Sequence, residues 1–214
     1  MSIKLYSYWR STAAYRVRLA LELKSIDYDI VSVSLLPGVS EHRQEAYRER
    51  NPQMLVPFLE DGDVGVGQSL AILEYLEETC PEHPLLPETA AQSAAVRSFC
   101  NSIACDIHPL NNLRVLLYLK QELGVTDEQR DDWYAHWIHE GFRSAELTAS
   151  ANGGPFVFGE TVTLADACLV PQMYNAHRFN VPLDDYPTLA AIEKHCNSLP
   201  PFIAALPENQ PDAE

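Results

Sequence analysis

The chain has 214 residues, and its 15 lysines and arginines are outnumbered by 30 aspartates and glutamates, which gives a formal net charge of −15. This acidity argues against partners such as nucleic acids and anionic membranes, because both require a surplus of cations on the protein. No apolar run approaches the roughly 20 residues of a membrane-spanning helix. The chain also starts without an export signal, so we expect a cytoplasmic protein.

The first eighty residues alternate between strand patterns and helical patterns. An apolar stripe with the spacing of one helix face follows Ser11 and Thr12. Asp61-Gly62 is typical of a tight turn between two strands. Ser69 is predicted to cap the following helix. The predicted elements are a strand at 3–6, a helix after 11–12, a strand at 29–33, a helix at 41–50, strands at 56–59 and 64–66, and a helix from 69.

A connector with three prolines in eight residues, Cys80 to Pro87, separates this region from the rest of the chain. Helical periodicity prevails beyond it, with Thr163 and Asp166 at the spacing of a capping box. We therefore predict an α/β domain at 1–83 and an all-helical domain at 88–214. The predicted helices cover 89–121 with a kink at Pro109, 126–149, 164–179 and a last stretch that starts after Tyr186-Pro187.

The cysteines and histidines show no pattern of a disulfide framework or a metal site. Five cysteines, an odd number, stand at positions 80, 100, 105, 168 and 196 and include no C-x-x-C motif. We expect reduced, buried thiols. His136 and His139 lie one helical turn apart without a carboxylate partner, so we predict a solvated helix face and no metal.

Three segments of the first domain carry groups that suit an anion or an extended peptide. A helix start at Arg10-Ser11-Thr12 favours an anion, including a thiolate, and an ordinary N-cap is the alternative interpretation of the hydroxyl. A cis bond at Val56-Pro57 would leave the Val56 N–H and C=O open to a peptide, but only about 5–6% of X-Pro bonds are cis. Gln68-Ser69 suits a carboxylate, and an ordinary cap is again the alternative.

Taken in this order, the three segments resemble the glutathione-binding domain of the glutathione transferases, and their sequences are most similar to those of the zeta class. The resemblance extends over nearly the whole chain, and it implies the cytosolic glutathione transferase fold. In that fold an α/β thioredoxin-like N-terminal domain binds glutathione, and an all-α C-terminal domain binds the substrate. The resemblance depends on residues 10–21, Asn51-Pro52, Val56-Pro57, 68–78, 106–112, Leu164-Ala165-Asp166, 169–172, Arg178-Phe179 and Tyr186-Pro187.

The resemblance implies a homodimeric enzyme that uses glutathione to isomerise the dicarboxylate maleylacetoacetate to fumarylacetoacetate in the breakdown of tyrosine and phenylalanine. It implies that Ser11 stabilises the glutathione sulfur and that Arg10 and Arg178 hold the substrate carboxylates. The class usually has Ser-Ser-Cys where this chain has Ser11-Thr12-Ala13, which leaves the thiol of glutathione as the nucleophile. The implied glutathione-binding residues are Ser11, Thr12, His42, Val56, Pro57, Gln68, Ser69, His108 and Asn112.

Other readings stay open at this point. A maleylpyruvate isomerase has a similar sequence, but it has an arginine directly after the Asn-Asn pair, where this chain has Leu113. A zeta-class transferase acting on α-halo acids would reuse the same site. From other classes, a non-catalytic interaction module would need no glutathione site, and a disulfide oxidoreductase would need a C-x-x-C motif.

Charge is distributed unevenly along the chain. Residues 1–24 contain five cations and one anion, a net charge of +4, and the rest of the chain carries −19. We therefore expect a cationic segment near the site that gathers an anionic dicarboxylate in spite of the acidic total.

Overall fold

A four-stranded mixed sheet forms the centre of the first half of the chain. The computed structural model of the protein describes residues 3–214. The sheet order is β2-β1-β3-β4, in which β1 pairs with β2 in parallel and with β3 antiparallel, and β3 pairs with β4 antiparallel. This is the thioredoxin-like arrangement that was predicted. The strands are β1 (Ile3–Ser7), β2 (Tyr28–Ser32), β3 (Phe58–Asp61) and β4 (Val64–Gly67).

Three helices accompany the sheet, namely α1 (Thr12–Leu23), α2 (Glu45–Arg50) and α3 (Ser69–Thr79), in the predicted order β-α-β-α-β-β-α. The predicted stripe of α1 is fully buried, as apolar spacing on one helix face requires. The predicted helix at 41–50 is shorter than expected. Glu41–Arg43 forms a separate 3-10 turn, because Gln44 is extended and interrupts the helix.

The described residues form two compact units: one contains the chain up to Leu85 together with Asn197–Glu214, and the other spans Leu86–Cys196. This differs from the predicted division into 1–83 and 88–214, because the C-terminal segment packs on the first unit. A short helix that was not predicted, α9 (Pro200–Ala205), packs against α1. Arg18 Nε donates to the carbonyl of Ala205 over 3.1 Å.

The proline-rich connector is held by a buried ion pair in the first unit. Lys24 Nζ lies 2.8 Å from a carboxylate oxygen of Glu77 and also donates to the carbonyls of Cys80, Glu82 and His83. Lys24 is buried, and so are Arg16 and Arg18. Three of the five cations within residues 1–24 therefore face the interior, and the expectation that this segment gathers anionic substrate was wrong for those three.

The second unit is helical, as predicted, but the expected kinked helix over 89–121 is interrupted. A π-helical segment at Ser102–Ile107 and a turn at 108–112 separate its two halves, because Pro109 has no N–H to continue the ladder. A Cβ on Gly141 would collide with Ile107, so glycine there lets this segment pack closely. The helices are α4 (Ala90–Asn101), α5 (Leu113–Gln121), α6 (Asp127–Asn152), α7 (Leu164–Arg178) and α8 (Pro187–Cys196).

Within residues 3–214, no helix combines the length and apolar character needed to cross a bilayer. No group of three or more histidine, cysteine or acidic side chains in that range could hold a metal ion. The five cysteines are free thiols, but Cys80 is half-buried and Cys105 is exposed, which corrects the expectation for these two. His139 Nδ1 lies 2.8 Å from the Tyr186 hydroxyl, so His139 is not on a purely solvated face.

Candidate active site

Ser11 stands at the start of α1, directly after a short loop that follows β1. Its hydroxyl oxygen accepts a hydrogen bond from the Ala14 N–H over 3.2 Å, so Ser11 is the N-cap of the helix. The side chain is half-buried, and the hydroxyl hydrogen is not used in this bond. Capping and donation to an anion at the helix terminus are therefore compatible in this geometry. Thr12 is buried as the first residue of α1.

Arg10 precedes Ser11 in the same loop. Its guanidinium carbon lies 3.9 Å above the ring centroid of the buried Trp9. This cation–π contact restricts the guanidinium, which is otherwise half-exposed and able to grip a carboxylate with two hydrogen bonds. A cation and a hydroxyl donor thus occupy one short loop.

The Val56-Pro57 peptide bond is cis. Val56 is mostly buried in a hydrophobic cluster that also contains Tyr6 and Tyr47, and Tyr8 packs against this cluster. The neighbouring carbonyl of Leu55 accepts hydrogen bonds from the Tyr47 hydroxyl and the Asn51 amide. Among residues 3–214, the N–H and C=O of Val56 have no hydrogen-bond partner. Unpaired backbone groups at buried positions are rare, so the N–H and C=O of Val56 are candidates for hydrogen bonds to a ligand.

The structure corrects the role expected for Ser69. Gln68 occupies the N-cap position of α3 with φ +70°, and Ser69 is the first helical residue. The Ser69 hydroxyl accepts a hydrogen bond from Arg16 Nη1 over 3.2 Å, which joins the start of α3 to α1. The Gln68 amide nitrogen donates to Gln53 Oε1 over 2.6 Å. The contact between Gln53 and Gln68 was not predicted, since the isolated Gln53 side chain carries no motif.

His42 lies in the 3-10 turn of the first unit and is mostly buried. Burial lowers the pKa of the imidazole below its ordinary value, so His42 is neutral at pH 7. Its Nδ1 atom is buried and has no hydrogen-bond partner among the described residues. The side chain therefore offers a ligand a neutral ring and not a positive charge, and its contact with glutathione stays a prediction.

The remaining predicted residues, His108, Asn112 and Arg178, belong to the second unit. His108 is half-buried at the end of the π-helical segment. Asn112 caps α5, and its side-chain oxygen accepts the Arg114 N–H over 3.1 Å. Arg178 is exposed at the end of α7, with its guanidinium carbon 5.3 Å from the ring centroid of Phe179.

Two adjacent residues of α6 support both the 108–112 turn and Arg178. Trp133 Nε1 donates to the Leu110 carbonyl over 2.8 Å, and the Asn111 amide donates to the Tyr134 carbonyl over 3.1 Å. The buried Tyr134 ring stacks on Phe179 with centroids 3.7 Å apart. Sequence reasoning missed this support, because an aromatic pair on a long helix looks like ordinary core.

Comparison with known proteins places the chain in a family. Residues 5–84 match the glutathione S-transferase N-terminal domain. The chain is 47% identical to a probable maleylacetoacetate isomerase of Vibrio cholerae, over 100% of this chain and 99% of that protein. It is also similar to the holo structure of a bacterial zeta-class maleylpyruvate isomerase, with TM-score 0.95 and 41% identity over 99% of this chain and 100% of that one.

A further solved structure is the maleylacetoacetate isomerase of Methylobacterium extorquens AM1 with bound malonate and glutathione. It has TM-score 0.93 and 37% identity, over 99% of each chain. These similarities extend over the full length and agree with the sheet order and helical second unit described above. The chain therefore belongs to the glutathione S-transferase family and, within it, to the zeta class.

Proposed function

We propose that this chain is a glutathione-dependent cis–trans isomerase that converts maleylacetoacetate to fumarylacetoacetate in tyrosine and phenylalanine breakdown. The observation that carries the proposal is the half-buried Ser11 hydroxyl at the start of α1, with the Arg10 guanidinium in the same loop. Relatives of nearly the same length carry the names of maleylacetoacetate and maleylpyruvate isomerases. We also propose that the protein acts as a homodimer, as its family resemblance implies, and that it works in the cytoplasm, as expected from the sequence.

The first unit fits the peptide glutathione. The open N–H and C=O of Val56 suit pairing with an extended backbone. Gln68 and Ser69 at the start of α3 suit a carboxylate, because backbone N–H groups at a helix start are unpaired and carry partial positive charge. Thr12, His42, Pro57, His108 and Asn112 remain proposed contacts at lower priority.

Isomerisation about a cis double bond requires that bond to become single for a time. When bound, glutathione would supply the thiolate that adds to the alkene, and elimination of the same thiolate after rotation would restore the double bond. The Ser11 hydroxyl donates a hydrogen bond to the sulfur anion. This bond and the partial positive charge at the start of α1 both favour the ionised form of the thiol. Arg10 and Arg178 bind the two carboxylates of the substrate. Ala13 provides no thiol, so the protein itself contributes no nucleophilic sulfur at this position.

A second candidate substrate is maleylpyruvate, because a maleylpyruvate isomerase superposes on this chain with TM-score 0.95. Absorbance assays with each substrate, with and without glutathione, separate the two. We expect turnover only with glutathione and a higher kcat/KM for maleylacetoacetate, because the family resemblance implies an arginine in maleylpyruvate isomerases at the position that Leu113 occupies in this chain. Turnover without glutathione would contradict the mechanism, and a higher kcat/KM for maleylpyruvate would reverse the substrate assignment.

Light scattering on the same preparation checks the homodimer.

Replacement of Arg178 by glutamine is expected to raise KM for the dicarboxylate by about ten-fold to a hundred-fold, since one charge-assisted bidentate contact is lost. Glutathione affinity, measured by calorimetry, should stay unchanged. Arg143→Gln is the matched control, because Arg143 is an exposed arginine of α6 that pairs with Glu140. An unchanged KM in Arg178→Gln would remove Arg178 from the site.

A further inference from the structure

The loop that carries Arg10 and Ser11 is held by two side chains from outside it. The Trp9 N–H donates to Asp212 Oδ2 over 3.0 Å. The Trp9 carbonyl accepts from Arg18 Nη2 over 3.0 Å. Both peptide groups of Trp9 are therefore fixed by charged partners, and such charge-assisted hydrogen bonds are roughly twice as strong as neutral ones.

Asp212 lies in the C-terminal tail, and this tail is itself attached to α1. Arg18, which grips the Trp9 carbonyl, also donates to the Ala205 carbonyl at the end of α9. After α9 the tail folds back, because the Gln210 amide donates to the carbonyls of Ala204 and Leu206 over 3.0 and 2.8 Å. Asp212 therefore holds the N–H of Trp9, and Arg18 holds its carbonyl. Arg18 also connects the loop to the end of α9.

The orientation of Trp9 decides where Arg10 lies. The indole of Trp9 is buried beneath the Arg10 guanidinium at 3.9 Å, and Ser11 is two residues further along the same loop. If the Trp9 peptide rotates, the indole moves and the support for the guanidinium is lost. A displacement of about 1 Å in a group that positions a substrate can cost about a hundred-fold in rate.

Asp212 has a second feature that stability alone does not explain. Its Oδ1 atom is buried and has no hydrogen-bond partner within residues 3–214. A buried carboxylate oxygen without a partner is destabilising, and such exceptions call for an explanation. The other carboxylate oxygen, Oδ2, accepts the Trp9 N–H, so the contact to the loop is kept although Oδ1 has no partner that would offset its burial.

We propose that Asp212 is a positioning residue: it holds the Trp9 peptide so that Arg10 and Ser11 take the arrangement needed for binding and isomerisation. The proposal rests on the proposed function of the same loop. It assigns a role in positioning the loop to a residue that lies 203 positions away from Trp9 in sequence. Asp212 contacts neither substrate nor glutathione in this proposal and acts only through Trp9.

Three variants of the full-length protein test this role. Asp212→Ala removes the acceptor for the Trp9 N–H, whereas Asp212→Asn keeps an oxygen in that position. Glu214→Ala is the control, because it removes an exposed carboxylate from the same tail. We expect Asp212→Ala to lower kcat/KM about ten-fold to a hundred-fold, and Asp212→Asn and Glu214→Ala to stay within about two-fold of the wild type.

Two readouts distinguish positioning from a contribution to stability alone. Amide hydrogen exchange of residues 8–11 should become faster in Asp212→Ala and remain slow in Asp212→Asn. The pKa of the enzyme-bound glutathione thiol, followed by thiolate absorbance against pH, should rise in Asp212→Ala. A lower melting temperature with unchanged exchange, thiol pKa and kcat/KM would overturn the proposal, and so would equal losses in Asp212→Ala and Asp212→Asn.

Failure of the proposed function would be visible separately. If the wild-type protein does not isomerise either substrate, the assignment of activity is wrong, and hydrogen exchange of residues 8–11 still decides on the loop contact. If the wild type is active and Asp212→Ala is equally active with unchanged exchange, the activity stands and the role of Asp212 is refuted.

Discussion

Replacement of Ser11 by alanine is expected to lower kcat/KM for glutathione-dependent isomerisation by about 10²–10³-fold, the usual effect of removing one donor that stabilises a reacting anion. The hydroxyl of Ser11 is half-buried at the start of α1, and its hydrogen is not used in the helix cap. An anionic sulfur beside it would gain a hydrogen bond and the favourable field of the helix terminus. Without the hydroxyl, less of the thiol is ionised at neutral pH.

Ser11 also caps α1, so its loss has a structural consequence that must be separated from the chemical one. The cap bond to the Ala14 N–H is 3.2 Å long, and replacing such a serine by alanine costs about 1 kcal/mol. Thr89→Ala is the matched control, because the Thr89 hydroxyl caps α4 by accepting the Gln92 N–H over 3.3 Å. We expect similar losses in unfolding free energy from both variants, but a loss of activity only from Ser11→Ala.

The pH dependence of the bound thiol gives the decisive measurement for Ser11. Thiolate absorbance of the glutathione complex should titrate at higher pH in Ser11→Ala than in the wild type, since a hydrogen bond to the charged form is lost. Ser11→Thr retains a hydroxyl and should keep most of the activity. Wild-type kcat/KM in Ser11→Ala, with an unchanged thiol titration, would show that another donor stabilises the sulfur.

The architecture of the first 79 residues was predictable because each element there carries a pattern of its own. Alternation predicted β1, and apolar spacing after Ser11 predicted α1. The placement of α9 and the tail was not predictable, because Ala205 and Asp212 contact residues of the first unit that are about two hundred positions away in sequence. Local periodicity contains no information on such contacts.

The helix start at Ser11 and the unusual Val56-Pro57 bond could also be predicted better than the contacts around them. Ser11 and Val56-Pro57 were found from helix-start and proline signals, and the cis bond is present. The burial of Arg16 and Arg18 was not expected for both, because arginine is rarely buried without partners. Their partners include the Ser69 hydroxyl and the Trp9 carbonyl, and only the folded chain brings these to α1.

Replacement of Asp166 by alanine is expected to lower the free energy of unfolding by about 3–5 kcal/mol, because three buried hydrogen-bond donors lose their acceptor. The carboxylate of Asp166 is fully buried at the start of α7. It accepts hydrogen bonds from the Val157 N–H and the Thr163 N–H, both 2.8 Å long, and from the Thr163 hydroxyl over 3.2 Å. Alanine would leave all three donors buried without an acceptor, and each such group costs about 1–3 kcal/mol.

The capping box predicted from Thr163 and Asp166 is thus only part of the role of Asp166, because the bond to Val157 also ties the preceding loop to the helix. Burial raises the pKa of Asp166 to about 6, so the carboxyl is ionised at pH 7 and accepts from all three donors. Asp166→Asn keeps one oxygen but turns an amide group towards one of the donors, and we expect a loss of about 2 kcal/mol.

Urea denaturation at pH 7 measures this effect as a lower midpoint with an unchanged slope. Asp132→Ala, which removes an exposed carboxylate from α6, should change the free energy of unfolding by less than about 0.5 kcal/mol. Asp166 lies in the first turn of α7, whereas Arg178 lies at the other end of that helix. The folded fraction of Asp166→Ala should therefore keep a near-normal KM, while its activity is lost at lower temperature than that of the wild type. A loss below about 1 kcal/mol would mean that water reaches the three donors, and that the start of α7 is not sealed as its burial indicates.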